Sequence, residues 1–147
     1  MDTKTLFKKI GYLSVDHIAV ATPNLNETLE MYLNIVGSSL LKGPAKNEKQ
    51  KVYYAFVKLK EGFTLEILQP TDKSSPIQKK IQEGVATIHI CYTVKNISLA
   101  IDTIVSQGGE IIVEPQKDES FNDRFMAFLF HPLIGVFELV GTPQICK

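Results

Sequence analysis

The chain has 147 residues, of which 44% are hydrophobic, and its 16 Lys and Arg residues balance its 16 Asp and Glu residues. This composition is typical of one soluble domain, and a zero formal net charge predicts neither a nucleic-acid partner nor a membrane partner. The sequence contains no apolar run of about 20 residues and no N-terminal secretory signal, so we expect a cytoplasmic protein. Two cysteines, Cys91 and Cys146, are too few for a disulfide framework and are predicted to be reduced thiols.

The first half of the chain predicts a strand, a helix and three further strands. Residues 15–21 alternate as a strand does, and Asn24 then stands at an N-cap position before apolar residues at helical spacing. Glu27 follows three residues later, as in a capping box, and Gly37 is expected to end the helix in a left-handed conformation. The remaining predicted elements are strands at 39–42, 52–59 and 63–69, with a polar loop over 43–51.

The second half of the chain repeats this order. Ser75, Pro76 and Gly84 predict a short linker helix, and Asn96 caps a second helix that Gly108 and Gly109 end. An amphipathic turn or two is expected over residues 3–10. The predicted strands of this half lie at 87–94, 111–114, 125–130 and 135–140, with a polar loop over 115–123.

The two halves align without a gap when the sequence is shifted by 72 residues. His17 then falls on His89, Glu66 falls on Glu138, and the apolar periodicity is duplicated. We therefore predict an α+β fold in which two tandem βαβββ units form one domain. The predicted bounds are 1–147 for the domain, 12–72 for the first unit, 73–85 for the linker helix and 86–143 for the second unit.

A duplicated pair of histidine and glutamate predicts a metal site. His17 and His89 are expected to lie on the less apolar faces of their strands, whereas Glu66 and Glu138 sit among strand-forming apolar residues, where an unpaired carboxylate is costly. Taken singly, each residue could be an ordinary core histidine or edge glutamate. If the two copies pair about an approximate twofold axis, two imidazoles and two carboxylates suit a divalent cation such as Co, Ni, Zn, Mn or Fe.

Several motifs resemble the vicinal oxygen chelate superfamily, to which glyoxalase I belongs. They are VDHIAV at 15–20, LEILQP at 65–70, IHI at 88–90, HP at 131–132 and GVFEL at 135–139. The likeness covers about residues 12–142 and implies the glyoxalase-like fold of two βαβββ units. It also implies that the metal ligands are His17, Glu66, His89 and Glu138.

Within this superfamily the chain is most similar to the methylmalonyl-CoA epimerases, because of Ser75-Pro76-Ile77 before Gly84 and the ending after His131. Three features depart from that pattern. Ile88 stands where the epimerases have a second histidine, Glu66 replaces a glutamine as in glyoxalase I, and residues 52–59 lack the expected glutamate base. The single arginine, in turn, does not supply the arginines with which glyoxalase I binds glutathione.

The resemblance implies a metal-dependent isomerase or lyase that moves a proton at a carbon next to a chelated carbonyl of a small molecule. Glu138 or Glu66 could act as the base, and we favour Glu138. Arg124 could bind a carboxylate or phosphate of the substrate, or it could pair with Asp123 at the surface. A homodimer is expected.

Two other functions stay open at this point. A non-catalytic module could sequester a ligand in the cleft, as bleomycin-resistance relatives do, although those relatives typically lack the ligand set that includes His17 and Glu138. An iron-dependent dioxygenase could use a triad of two histidines and one glutamate, with Glu66 as a bystander. Redox-active iron in the purified protein would favour the dioxygenase.

Overall fold

The computed structural model describes residues 2–142, so Cys146 lies outside the described part of the chain. The helices are α1 Leu6–Lys9, α2 Leu25–Leu33, α3 Gln78–Gln82 and α4 Ile97–Ser106, and 3-10 turns span Thr3–Thr5 and Glu119–Phe121. The strands are β1 Tyr12–Ala21, β2 Ser39–Asn47, β3 Val52–Lys58, β4 Thr64–Pro70, β5 Thr87–Val94, β6 Glu110–Asp118, β7 Arg124–His131 and β8 Gly135–Gly141. Among these helices, none is long and apolar enough to cross a membrane.

The order of elements confirms the predicted α+β fold of two βαβββ repeats. The chain divides into two compact units, one formed by His17–His89 and the other by the described residues before and after that range. These bounds differ from those of the sequence repeat because β1 and β5 are long strands, and each contributes residues to both units.

In the His17–His89 unit the strands follow the order β2-β3-β4-β1. Strand β3 pairs antiparallel with β2 and β4, whereas β4 pairs parallel with β1. Helix α2 packs Leu25 and Leu29 against Ala55, Val57 and Ile67, which occupy one face of the sheet. The opposite face of these strands is therefore left for other side chains, since neighbouring residues of a strand alternate between faces.

Helix α2 is capped, as predicted, by Asn24, whose Oδ1 accepts a hydrogen bond from the Glu27 N–H at 3.1 Å. In a capping box the Asn24 N–H would donate to the Glu27 carboxylate, but here it has a different acceptor. The Asn24 N–H donates to Thr22 Oγ1 at 3.1 Å, so the hydroxyl takes the place expected for the Glu27 carboxylate. Gly37 adopts the predicted left-handed conformation, with φ at +88°.

Strand β2 is longer than predicted and includes much of the polar stretch expected to be a loop. Two register shifts interrupt its pairing with β3, so that Lys42 lies opposite Phe56 and Ala45 lies opposite Tyr54. Gly43, with φ at +83°, makes this shift possible, because a Cβ there would lie 2.5 Å from the Tyr54 carbonyl oxygen.

In the other unit the order is β5-β8-β7-β6, with β5 parallel to β8 and β7 antiparallel to both neighbours. Helix α4 is capped by Asn96, whose Oδ1 accepts from the Leu99 N–H at 3.1 Å. Leu6 and Ile10, from the short helical segment at the start of the chain, join the core that α4 forms on this sheet. The other buried members of that core are Val94, Ala100, Ile101, Ile104, Ala127, Leu129, Phe137 and Leu139.

The predicted polar loop over 115–123 is also largely structured. Strand β6 continues to Asp118, whose Oδ1 accepts from the Ser120 N–H at 2.9 Å in the following 3-10 turn. Strands β2 and β6 are each the outermost strand of their unit. A strand at an edge tolerates polar residues because one side of it meets solvent, so the polarity of these segments did not indicate a loop.

Three aromatic rings pack edge to face near the start of the chain. Phe7 lies 5.8 Å from Tyr12 and 5.1 Å from Tyr92 between ring centroids. Burial raises the pKa of the Tyr92 phenol, because the ionised form loses hydration in this cluster. The amphipathic turn predicted over residues 3–10 thus forms and packs through Phe7 as well as Leu6.

The two caps predict a local effect on stability. Asn24→Ala and Asn96→Ala should each lower the free energy of unfolding by about 1 kcal/mol, because one N–H of the first helical turn loses its partner. Urea denaturation would measure the change. Asn26→Ala, at an exposed position inside α2, is the matched control and should be neutral or slightly stabilising. Equal effects at Asn24 and Asn26 would contradict the capping role.

Candidate metal centre

Three of the predicted ligands come together within the His17–His89 unit. His17 lies on β1, Glu66 on β4 and His89 at the start of β5. Each offers one ligand atom, and these atoms all lie within 4.8 Å of one another. Side chains separated by up to 72 residues in sequence therefore converge on a volume that one ion could occupy.

The parallel pairing of β1 with β4 positions the first two ligands. Ala19 pairs with Glu66, and His17, two residues earlier on β1, lies on the same face as Ala19. His17 Nε2 lies 3.3 Å from Glu66 Oε1. His17 is on the predicted face, but that face is the more buried one, since His17, Ala19 and Ala21 are buried and Ile18 is partly exposed.

Burial makes the chemistry of this cluster specific. The exposed fraction is 0% for His17 and 5% for Glu66, while His89 is partly exposed. A carboxylate taken out of water needs a positive charge or hydrogen-bond donors to compensate for its lost hydration. Two imidazole nitrogens and a carboxylate oxygen are the donor set preferred by divalent ions such as Zn, Co, Ni or Fe, so these residues fit a metal ion.

Aromatic rings fix the orientation of His17. The Phe56 ring lies 5.5 Å from the His17 ring between centroids, at an interplanar angle of 85°. The His89 ring lies 6.0 Å from the same imidazole. Phe56 sits opposite Glu66 in the β3–β4 pairing, so one apolar side chain covers both the carboxylate and the imidazole.

Glu138 occupies the equivalent position in the other unit. It lies on β8 between Cys91 of β5 and Phe128 of β7 and is 1% exposed. Glu66 lies between Ala19 and Phe56 in the same way, so the structure preserves the relationship that the repeat predicts. Cys91 is fully buried and is not part of a disulfide, as the interpretation of a small buried hydrophobe expects.

Arg124 has a different partner from the one considered in the sequence. Its Nη2 donates to Asp16 Oδ1 at 3.2 Å, and Asp123 is exposed beside it. The guanidinium also donates from Nε to the Phe121 carbonyl oxygen at 3.2 Å and from Nη1 to that of Gly141 at 3.4 Å. The sequence left a pairing with Asp123 open, but the folded sheet pairs Arg124 with Asp16, an aspartate 108 residues away.

One side chain on the ligand-bearing face was missed in the sequence. Lys42 lies with its Nζ 5.9 Å from the centre of the buried Tyr54 ring. Tyr54 and Phe56 are both buried. The position of Lys42 depends on the register shift at Gly43, for which the only sequence signal is the Gly-Pro pair in a strand pattern.

Comparison with known proteins decides the family. The glyoxalase/bleomycin resistance protein/dioxygenase superfamily matches residues 16–128. The chain belongs to this superfamily. The predicted resemblance and the predicted fold are thereby confirmed.

Three similar proteins illustrate the relationship, and two of them are named as epimerases. Methylmalonyl-CoA epimerase of Dictyostelium discoideum, a mitochondrial protein, is 32% identical over 84% of this chain and 74% of its own length. A hypothetical protein of Bacillus halodurans C-125 has a TM-score of 0.75 at 29% identity, covering 90% of this chain and 96% of its own. Methylmalonyl-CoA epimerase of Mycobacterium tuberculosis has a TM-score of 0.78 at 21% identity, covering 90% of both chains. The chain is thus homologous to enzymes that carry an epimerase name.

The geometry predicts that His17 and Glu66 are needed for metal binding. His17→Ala and Glu66→Gln should each weaken binding of Co²⁺ or Zn²⁺ by more than about tenfold, since even substitutions outside the ligand shell cause losses of that order. Isothermal titration of the metal-depleted protein would measure this. Glu48→Gln removes an exposed carboxylate of the same unit and serves as the control. Unchanged affinity in both test variants would exclude the site.

The Arg124–Asp16 pair should stabilise the fold. Both side chains are about one-fifth exposed, so the pair is shielded better than a surface salt bridge. A double-mutant cycle with Arg124→Gln and Asp16→Asn should give a coupling energy of about 1 kcal/mol in urea unfolding. The exposed Lys79–Glu83 pair is the control and should give a value near zero. Equal coupling in the two cycles would contradict a structural role for Arg124.

Proposed function

We propose that this protein is a methylmalonyl-CoA epimerase that uses a divalent metal ion. The observation that carries the proposal is the buried cluster of His17, Glu66 and His89, in a chain that is homologous over most of its length to proteins of that name. An epimerase must make a carbon-bound hydrogen acidic, remove it and return it to the other side of the same carbon. A buried set of cation ligands beside carboxylates suits this task.

We propose that His17, Glu66 and His89 hold the ion, with Glu138 as the fourth ligand. Support for Glu138 comes from its burial and from its place in the repeat, where it occupies the position that Glu66 has in the first copy. When bound, the ion supplies positive charge that withdraws electrons from a chelated carbonyl group and so acidifies the neighbouring C–H bond. Glu138→Gln should therefore weaken metal binding, as is expected of Glu66→Gln.

The protein's carboxylates are the candidates for the base. Glu66 Oε1 lies 3.3 Å from His17 Nε2, so this carboxylate is held by an imidazole. The preference for Glu138 as the residue that removes the proton comes from the sequence and stays a prediction. The apolar cover that Phe56 gives to His17 would limit the access of water to the reacting carbon.

Recognition of an anionic substrate by Arg124 stays a prediction. Its guanidinium already donates hydrogen bonds to Asp16 and to two carbonyl oxygens, which leaves two of its five N–H groups for a substrate. The expected homodimer and the cytoplasmic location also stay predictions. Size-exclusion chromatography and cell fractionation would test these two.

Hydrogen exchange with solvent tests the function directly. The protein loaded with Co²⁺ should catalyse both the interconversion of the two epimers of methylmalonyl-CoA and the entry of one solvent deuterium at the carbon between the two carbonyl groups. Mass spectrometry would measure the exchange and chiral analysis the inversion, each against the uncatalysed rate. His17→Ala should reduce both to background. Absence of catalysis with Co²⁺, Ni²⁺, Zn²⁺ and Mn²⁺ would refute the proposal.

An iron-dependent dioxygenase is the second candidate. His17, His89 and Glu66 supply two imidazoles and one carboxylate within one unit, which is the ligand set of many non-haem iron oxygenases. This triad includes Glu66, which the sequence-based hypothesis left as a bystander. Oxygen consumption by the Fe²⁺-loaded protein in the presence of a candidate substrate would favour it. Exchange and inversion without oxygen uptake would instead favour the epimerase.

A further inference from the structure

The face that carries the metal ligands also carries a phenol that the function described so far does not use. We propose that Tyr54 is the second proton-transfer residue of the reaction and that Lys42 stabilises its ionised form. This proposal rests on the proposed epimerase function. It assigns to β3 a catalytic group of a different chemical type from the carboxylates on β4 and β8.

The register of the sheet places Tyr54 on the ligand-bearing face. In the β3–β4 pairing Phe56 lies opposite Glu66, and Tyr54 lies opposite Leu68. Paired residues of antiparallel strands point to the same side, so Tyr54 and Glu66 are diagonal neighbours on one face. Diagonal pairs are separated by about 7–8 Å, a distance that the atoms of a small substrate can span.

Packing holds the phenol ring in place. The Tyr54 ring lies 5.8 Å from that of Phe56 at an interplanar angle of 70°, and Phe56 in turn lies 5.5 Å from His17. Tyr54 is 4% exposed, so its ring has little freedom to turn outward. One aromatic side chain therefore orients both the imidazole and the phenol.

A positive charge accompanies this phenol. The register shift at Gly43 brings Lys42 opposite Phe56, and its ammonium lies 5.9 Å from the centre of the Tyr54 ring. An ammonium near the ring would stabilise the negative charge that develops on the phenol as its proton leaves, since opposite charges attract more strongly away from bulk water. The charge of Lys42 would therefore lower the free energy needed for Tyr54 to give up its proton.

Epimerisation needs two proton carriers, because the proton leaves one side of the carbon and returns on the other. In one direction a carboxylate takes the proton, the electron pair of the broken C–H bond moves into the carbonyl group, and the Tyr54 O–H bond breaks as a new C–H bond forms. The phenolate then takes a proton from water and the carboxylic acid releases its proton to water, which restores both groups. In the reverse direction the phenolate removes the proton and the carboxylic acid returns one. No oxidant or reductant takes part.

Tyr54→Phe tests this role, because it removes only the hydroxyl oxygen. We expect the rate of inversion to fall by about 100-fold or more. Deuterium should still enter the epimer whose proton the carboxylate removes, at close to the wild-type rate and without inversion, while exchange into the other epimer should be lost. The affinity for Co²⁺ should stay unchanged.

Tyr53→Phe is the matched control. Tyr53 directly precedes Tyr54 on β3 and points to the opposite face, beside Ala55 and Val57. It also has a lysine beside it, since Lys46 Nζ lies 5.9 Å from the centre of its ring. This variant loses the same oxygen and should keep wild-type exchange and inversion. Thermal unfolding of both variants would show whether the packing of the ring is preserved.

Two results would overturn the role of Tyr54. One is a Tyr54→Phe variant that inverts the substrate at the wild-type rate. The other is an equal fall of exchange in both epimers, which would indicate a structural effect on the whole site. If the wild-type protein itself shows neither exchange nor inversion, the proposed function fails and the role of Tyr54 fails with it. If the wild type is active and only the role of Tyr54 fails, the proposed function stands.

Discussion

The burial of the Glu66 carboxylate beside the His17 imidazole is the constraint on which the site depends. A carboxylate in the middle of a sheet, 5% exposed, would destabilise the fold if it had no compensating partner. Parallel pairing of β1 with β4 brings the imidazole to 3.3 Å from it, and Phe56 covers the pair. The same burial that demands compensation also excludes water, so the requirements of stability and of metal binding coincide here.

Duplication of the βαβββ unit explains why the chain has two such carboxylates, and their surroundings explain why they need not act alike. Glu66 lies opposite Ala19 on β1, and Glu138 lies opposite Cys91 on β5. His17 is fully buried, whereas its counterpart His89 is partly exposed. The two copies of one motif thus place the same residue types in surroundings of different burial.

Sequence signals predicted the features that depend on residues close together in the chain, such as helix caps. They did not predict contacts between residues that are far apart in the sequence. The caps at Asn24 and Asn96 depend on hydrogen bonds to residues three positions ahead, and both formed as expected. Strands β2 and β6 were predicted too short, because polarity alone does not separate an edge strand from a loop. The Arg124–Asp16 pair joins residues 108 apart and follows only from the strand order of the folded sheet.

The scarcity of arginine bears on how an anionic substrate would be held. Of the 16 basic residues 15 are lysines, and the single arginine, Arg124, is engaged with Asp16. Planar, two-point recognition of a carboxylate is a property of guanidinium, whereas ammonium groups act as point charges that suit phosphates and flexible anions. The coenzyme A thioester of the proposed function carries phosphates on a flexible chain, so it is a ligand of the kind that lysine ammonium groups suit. Under that proposal, its reacting end would be oriented by the buried ligand face, where Phe56 packs against His17 and Tyr54 and lies opposite Glu66.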